Sequence, residues 1–598
     1  MDTANKEQHL IDLLKRCKQS SKEAVENLEQ FSSFKKYMHV QRPVEIELEM
    51  HINEAYTSQR AQLILICGGV GDGKSHILSY LKDKFPFLND TNAFYLHNDA
   101  TESFSPRKTS IETLATVLAP FSDEGLQHGG NKNIVLAINL GALNNFIDSE
   151  HGSAFSRLKD FVHKKRILES VIDEEATPDD HIFKYVNFSD YHLYQLTEQG
   201  PKSDYIKGIF QKITQKTDDN PFYQAYLHDY EDDRDIATRN PIIQNYEIFQ
   251  HEDVQEKIID LLIQAMVKEK LIISTRGLLD FIYNILVPAS MENMNYIQTK
   301  EFIDALDFKD YTSSLLPFQL FEKKDASSIH QAIHQINPTR IRTEELDQYL
   351  IEFKSRKDGA YLFSRYIDIN RLPYFAKSFL HNSPWGNSES KEQQVYRRSL
   401  VKLFVYLYYL IPKTEHKSFE DSTFQQFMRY LYYWNKREWG KLAKLYREDV
   451  REAIYNWNGE GNGDLIYVQI GQPQTQYYAL QKLEIEPYVV RTPSLPNEEL
   501  FKFLTMMHLQ FKTKNSNSVA SIDIDYTLYS FLVRINRGYR PNKKDKFQFI
   551  KFVEFIETLS EFGNSKDEIV FESKQFGKTT RYRLKYDETF DQYSFMEM

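Results

Sequence analysis

Cysteine is almost absent. The 598 residues include two, Cys17 and Cys67, far apart and in unlike surroundings, which excludes both a disulfide framework and a thiolate metal site. Cys67 reads as a small core residue. A membrane-length apolar run is also missing: the strongest, 400–412, contains Lys402 and is too short to cross a bilayer, so it reads as a buried helix. The start, MDTANKEQHL, lacks the basic opening and apolar stretch of a secretory signal and points to the cytoplasm. Excess positive charge is missing as well. A formal net charge of -11 does not favour bulk attraction to a polyanion, although basic patches occur within the acidic chain. There is no internal repeat and no long low-complexity tract. The length suits roughly three to five domains with real cores, and the many Tyr and Phe of the second half read as packed helical cores.

What is present is a complete G-x-x-x-x-G-K-[ST] loop, formed by Gly68, Gly69, Val70, Gly71, Asp72, Gly73, Lys74 and Ser75, directly after the apolar run Leu63–Cys67. Such a loop turns its backbone N–H groups inward to cradle phosphates, and glycine permits that geometry. Lys74 would reach the β- and γ-phosphates of ATP, Ser75 would hold Mg²⁺, and a helix starting near Ser75 would aim its positive dipole end at the anion. Ile77, Leu78 and Leu81 carry the helical spacing expected of that helix.

Organisation follows from periodicity. Residues 1–58 form a helical lead-in and 59–200 a P-loop α/β core. Further strands are expected at 93–100, 133–141 and 181–188, with helices at 109–118 and 155–161. Residues 201–250, polar and Tyr-rich, read as an insertion or linker; 251–300 as a helical lid, with a helix from Asp253 and another from Ser274 stopped by Pro288. Residues 301–458 are mostly helical, including 424–446. The glycine-rich turn at 459–463 opens an α+β C-terminal domain, 459–598, with strands at 465–470, 521–524, 569–571 and 582–586 and a helix at 547–562. Strands alternating with helices after a P-loop imply a parallel sheet with the nucleotide outside the strands' carboxyl ends.

The order of features over roughly 60–290 resembles the AAA+ P-loop ATPases, the clamp-loader and origin-recognition branch especially. That resemblance implies a polar sensor at the end of a strand, matched by Asn139. It implies an arginine at a helix end completing a neighbouring subunit's site, matched by Arg157, and hence a homo-oligomer. It also implies a second sensor arginine at a lid-helix start, matched by Arg276. The sequence departs from the pattern at the Walker B acids. Catalysis needs one carboxylate in the Mg²⁺ shell and another to polarise water, and a carboxamide at Asn139 cannot act as a base. Asp99 as the metal-shell acid and Glu102 as the base are the preferred substitutes; Asp123-Glu124 is poorer because no strand precedes it.

Over the whole chain the combination GGVGDGKSH (68–76), HNDATESFSPRKTSIETL (97–114), LAINLGALNNF (136–146) and VNFSDYHLY (186–194), preceded by SSKEAVENLEQFSSFKKY (20–37), resembles the DptF (DndF) family. This family is the ATPase-like component of bacterial restriction systems that act on DNA lacking phosphorothioate modification. The resemblance implies DptG-like and DptH-like partners and a role in defence against phage and plasmid DNA. The chain itself shows no convincing nuclease motif. Arg534, Arg537, Arg540, Lys543 and Lys544, with Tyr539 interleaved, form the strongest basic patch for DNA, and Arg429, Lys436, Arg437, Lys441 and Lys444 a second. Both also fit plain solvated surfaces. The expectation is an ATP-binding and ATP-hydrolysing restriction subunit; the alternatives are a nucleotide-gated scaffold with little hydrolysis and no DNA contact, or a AAA+-like remodeller.

Overall fold

A strand buried on both faces needs an apolar side chain at every position, and Leu63–Cys67 supplies five. The computed structural model describes residues 9–23, 33–69, 72–98, 109–128, 132–168, 180–355, 360–380, 391–459, 464–468, 477–514, 518–562, 568–575 and 578–598. It resolves into two units: Met1–Gln195 with Lys202–Glu420, and Leu196–Pro201 with Asp421–Met598.

In the first unit the chain runs through α1 (Leu10–Glu23), α2 (Ser33–Tyr37), α3 (Pro43–Thr57), β1 (Leu63–Cys67), α4 (Lys74–Lys84), β2 (Phe94–His97), α5 (Ser110–Leu118), β3 (Asn133–Ile138), α6 (Leu140–Asp148), α7 (Ser156–Lys164) and β4 (Phe183–Asn187). The four strands form a parallel sheet in the order β2-β3-β1-β4. Alternation splits β1 between two cores. Leu63, Leu65 and Cys67 pack with Ile134, Leu136 and Ile138 of β3 and with side chains of α5, α6 and α7. Ile64 and Ile66 pack with Val135, Ala137 and Val186 and with α3 and α4. The result is the expected α/β sheet with helices on both faces.

β3 stops three residues short of the expected Gly141. Asn139 takes extended dihedrals and its side-chain Oδ1 accepts from the N–H of Ala142 at 2.6 Å, so the chain turns into α6 there.

After β4 come β5 (Tyr191–Thr197), β6 (Gly200–Lys202), α8 (Asp204–Thr214), α9 (Pro221–Asp232), α10 (Arg234–Arg239), α11 (Pro241–Phe249), α12 (Glu252–Lys268) and α13 (Thr275–Leu286). Residues 201–250, read from sequence as insertion or linker, are thus largely helical. Their polar side chains cap helices or are buried: Ser203, Asn220, Asp233 and Asn240 each accept at a helix start. Helices continue through Lys391–Leu410, which contains the apolar run, with Lys402 paired to Glu322 at 2.9 Å. No described helix is long and apolar enough to cross a membrane. The aromatics here do pack as a core: Tyr349, Phe363, Phe404 and Tyr408 meet at mutual ring distances of 5.2–6.3 Å, and the Tyr349 and Tyr408 hydroxyls both donate to Glu345.

The second unit is antiparallel. Its strands are β7 (Leu465–Tyr467), β8 (Tyr477–Lys482), β9 (Ile485–Pro487), β10 (Leu500–Lys502), β11 (Met507–Thr513), β12 (Val519–Ile524), β13 (Glu568–Gln575), β14 (Lys578–Asp587) and β15 (Gln592–Glu597). One sheet has the order β15-β14-β13-β8-β7 and another β12-β11-β9, with helices Tyr526–Asn536 and Ile550–Glu561 beside them. The helix expected over 424–446 ends at Asn435, and Arg437 turns the chain with φ +63°.

Candidate functional site

Parallel strands deliver their carboxyl ends to one edge, and that edge is where the glycine-rich loop lies. The register sets Cys67 beside Ile138 on one side and Asn187 on the other. Gly68, Asn139 and Phe188, each the next residue, therefore leave the sheet side by side. Sheet order places β1 between β3 and β4, so the connection from β3 to β4 crosses over it. This is the kind of crevice in which open α/β sheets bind ligands.

Two glycines of the loop are sterically required. A Cβ on Gly68 would stand 2.8 Å from Asp72 Oδ2 and 2.9 Å from Phe188 Cβ. Gly73 caps α4 with φ +89°, a left-handed conformation that costs any other residue strain. Gly69 N–H donates to Asp72 Oδ2 at 2.5 Å, so this loop amide already faces an anion. Lys74, the first residue of α4, fastens its ammonium to the carbonyls of Gly68 at 2.9 Å and Gly69 at 2.5 Å. Val70 and Gly71 lie outside the described residues.

A second helix start meets the loop. The position a Cβ would take on Gly73 is 3.9 Å from Thr275 Oγ1, at the beginning of α13. Ser274 caps that helix through the N–H of Gly277, and Thr275 Oγ1 hydrogen-bonds the Tyr205 hydroxyl at 2.9 Å. Arg276 follows in the first turn and is half-buried. The helix start expected at Ser274 is observed, with Arg276 in its first turn.

Arg42, just ahead of α3, was not anticipated. Its guanidinium lies over the Phe188 ring at 5.0 Å and the Tyr205 ring at 5.6 Å, so it joins the rim formed by Gly68's and Gly73's neighbours. Behind the loop, His76 Nε2 is 3.2 Å from His39 Nδ1, and His39 Nε2 is 3.1 Å from Glu45, a carboxylate buried in α3. Burial, together with the neighbouring His39 ring and the Lys35 and Arg42 cations, pushes the His76 imidazole down to about 4, so it stays neutral at physiological pH. Burial likewise pushes the Cys67 thiol up to about 12, with Asp190 adding to the rise and Lys74 opposing it. Cys67 is therefore an inert core thiol, as its sequence context suggested.

Asp190 stands by the neighbouring strand end. Its Oδ1 accepts from Asn187 Nδ2 at 2.8 Å, at the last residue of β4. Asp190 is a carboxylate at the loop that sequence reasoning missed; the only signal was its position three residues beyond the strand. Asp99 and Glu102 lie outside the described residues. Asn139 is at the loop edge, but its Oδ1 is engaged as the α6 cap, so its Nδ2 is the end that can donate. Arg157 is exposed in the first turn of α7, not at a helix end. Asp123 accepts from the Ser156 and Arg157 amides, and among the described hydrogen bonds and ion pairs none joins Arg157 to the loop.

Chemically, the described part of the loop offers the Gly69 amide, which already meets a carboxylate, one ammonium, two helix N-termini and no space for a side chain at Gly68. That set suits a phosphate chain. The residues also fit Mg²⁺: the exposed Ser75 supplies a hydroxyl beside Lys74, and Asp190 supplies a hard oxygen at the adjacent strand end.

The basic patch of the second unit is less available than its sequence suggests. Arg534, Arg537, Arg540, Lys543 and Lys544 are exposed. Tyr539, however, is covered by the Arg534 guanidinium at 4.3 Å and donates to Asp545 at 2.7 Å, so its ring serves the turn. In the second patch, Lys441 pairs with Glu198 at 2.7 Å and with Glu438 at 2.9 Å, and Lys436 with Glu438 at 3.4 Å.

No protein-family model matches this chain, and neither does any curated protein.

Proposed function

We propose that the chain binds ATP with Mg²⁺ at Gly68–Ser75 and hydrolyses it as a subunit of a restriction complex acting on DNA without phosphorothioate marks. The observation that carries the nucleotide reading is the meeting of the α4 and α13 N-termini at a loop with no room for a Cβ at Gly68. The restriction reading, with its DptG-like and DptH-like partners in a bacterial cytoplasm, rests on the sequence resemblance.

When bound, the nucleotide supplies the phosphoanhydride that is broken. Lys74 holds the β- and γ-phosphates, Ser75 and an acid orient the metal shell, and the Asn139 carboxamide donates toward the γ-phosphate. Arg276, next to Thr275 at the loop, neutralises charge that develops as the bond breaks. Asp99 and Glu102 are the acids proposed from sequence, and Asp190 is the described alternative. Arg157 serves a neighbouring copy from an exposed helix start. Direct DNA contact falls to Arg534, Arg537, Arg540, Lys543 and Lys544.

A second reading, a nucleotide-gated scaffold, is favoured by one observation. β3 ends at Ile138, and the next residue, Asn139, caps a helix where an acid would be expected.

Steady-state ATP turnover, measured with and without unmodified DNA and partner proteins, separates the two. Turnover raised by unmodified DNA supports the first reading; turnover unaffected by either addition supports the scaffold. Glu102→Gln is expected to lower turnover at least about 100-fold with ATP binding retained, the scale of losing a general base. Unchanged turnover in Glu102→Gln with loss in Asp190→Asn would transfer the role to Asp190.

A further inference from the structure

Far from the glycine loop along the chain, His9, His228 and Asp229 bring three ligand atoms within 4.8 Å of one another. Asp229 lies in α9 with its side chain 4% exposed, and it is reached from both sides. His9 Nδ1 is 2.7 Å from Asp229 Oδ1, and the N–H of Leu10, at the start of α1, donates to Oδ2 at 3.0 Å. His228 Nδ1 is buried and has no hydrogen-bond partner; its approach to Asp229 Oδ1 is 3.9 Å, too long for a hydrogen bond. A buried imidazole nitrogen without a hydrogen bond thus stands within 4 Å of a buried carboxylate that already meets a second imidazole.

We propose that His9, His228 and Asp229 form a site for a divalent first-row transition ion of the zinc class, clamping α1 onto α9. Bonds of about 2.0–2.1 Å in a tetrahedral site hold ligand atoms about 3.3 Å apart. The two observed separations, 2.7 and 3.9 Å, bracket that value, and small side-chain rotations equalise them. Two imidazoles and one carboxylate suit zinc, cobalt or nickel; magnesium and calcium prefer all-oxygen sets. Three protein ligands leave one position for water.

The surrounding shell is that of a metal site. The Leu10 amide fixes the second carboxylate oxygen, and the Tyr296 ring stacks on His9 at 3.7 Å with planes 10° apart. α1 also packs on α13, so the clamp steadies the helix whose start faces the glycine loop.

The test uses the full chain stripped with a chelator. Calorimetric titration with Zn²⁺ is expected to show one ion per chain, and Co²⁺ to give visible d–d absorption that Zn²⁺ abolishes and a tenfold excess of Mg²⁺ leaves unchanged. His228→Ala, at a side chain 35% exposed, is expected to weaken Zn²⁺ binding at least tenfold without loss of fold. His9→Ala is a second variant with the same expectation. The absence of stoichiometric Zn²⁺ binding, or binding unchanged in both variants, overturns the proposal.

Discussion

Lys74→Ala lowers the affinity for ATP with Mg²⁺ at least about 100-fold and leaves the thermal midpoint within about a degree of the parent. The reasoning is local. The ammonium sits at the first residue of α4, held over the loop by the carbonyls of Gly68 and Gly69. A hydrogen bond to a charged group is worth about 1.5–3 kcal/mol, so two contacts to phosphate oxygens amount to about 3–6 kcal/mol, or two to four decades of affinity. In the folded chain the same side chain is half-exposed, and water can replace it at the two carbonyls, so stability changes little. Equilibrium titration with a fluorescent ATP analogue alongside a thermal melt checks both halves. A loss below about threefold would mean that phosphate contacts lie elsewhere.

Asn245→Leu destabilises the first unit by at least about 3 kcal/mol. Asn245 is fully buried in α11, and its three hydrogen bonds all end on backbone. Nδ2 donates to the carbonyls of Leu286 at 3.1 Å and Ser314 at 2.9 Å, and Oδ1 accepts from the N–H of Leu316 at 2.6 Å. One amide thereby joins α11 to the end of α13 and to the turn between the helices Phe308–Ser314 and Leu316–Glu322. Leucine fills similar space and satisfies none of the three buried groups, each of which costs about 1–3 kcal/mol when left unpaired. Denaturant titration of the full chain measures this as a lowered midpoint of the transition that reports the first unit. A change under about 1 kcal/mol would show that the turn relaxes to find other partners.

Asn245 also illustrates why part of the fold was hidden in the sequence. Polar, tyrosine-rich composition made 201–250 look like a linker, yet Asn220, Asp229, Asn240, Gln244 and Asn245 are buried there. Composition cannot distinguish a solvated amide from one satisfying backbone inside a helical bundle. Where burial was apolar the sequence was far more legible. Five apolar residues announced β1, and Ile77, Leu78 and Leu81 are all buried at the spacing that predicted α4. Asn139 was correctly placed at a strand end, but the helix that follows went unseen, because a capping carboxamide and a strand-terminal sensor look alike in sequence.

In the loop, the need for glycine at Gly68 and Gly73 was legible, since local backbone geometry dictates residue type there. The loop's rim was not. Arg42, Phe188, Tyr205 and Thr275 come from four separate stretches and meet only because β1 is flanked by β3 and β4 and α13 returns to its end. Asp190 escaped notice for the same reason. Tyr539, interleaved among the cations in sequence, is covered by its own arginine neighbour.

The most direct measurement of the central claim is calorimetric titration of the purified chain with ATP and Mg²⁺. One saturable site per chain, competed by ADP and lost in Lys74→Ala, is the predicted result. No saturable binding up to about 1 mM ATP, a binding free energy weaker than about 4 kcal/mol, would contradict it.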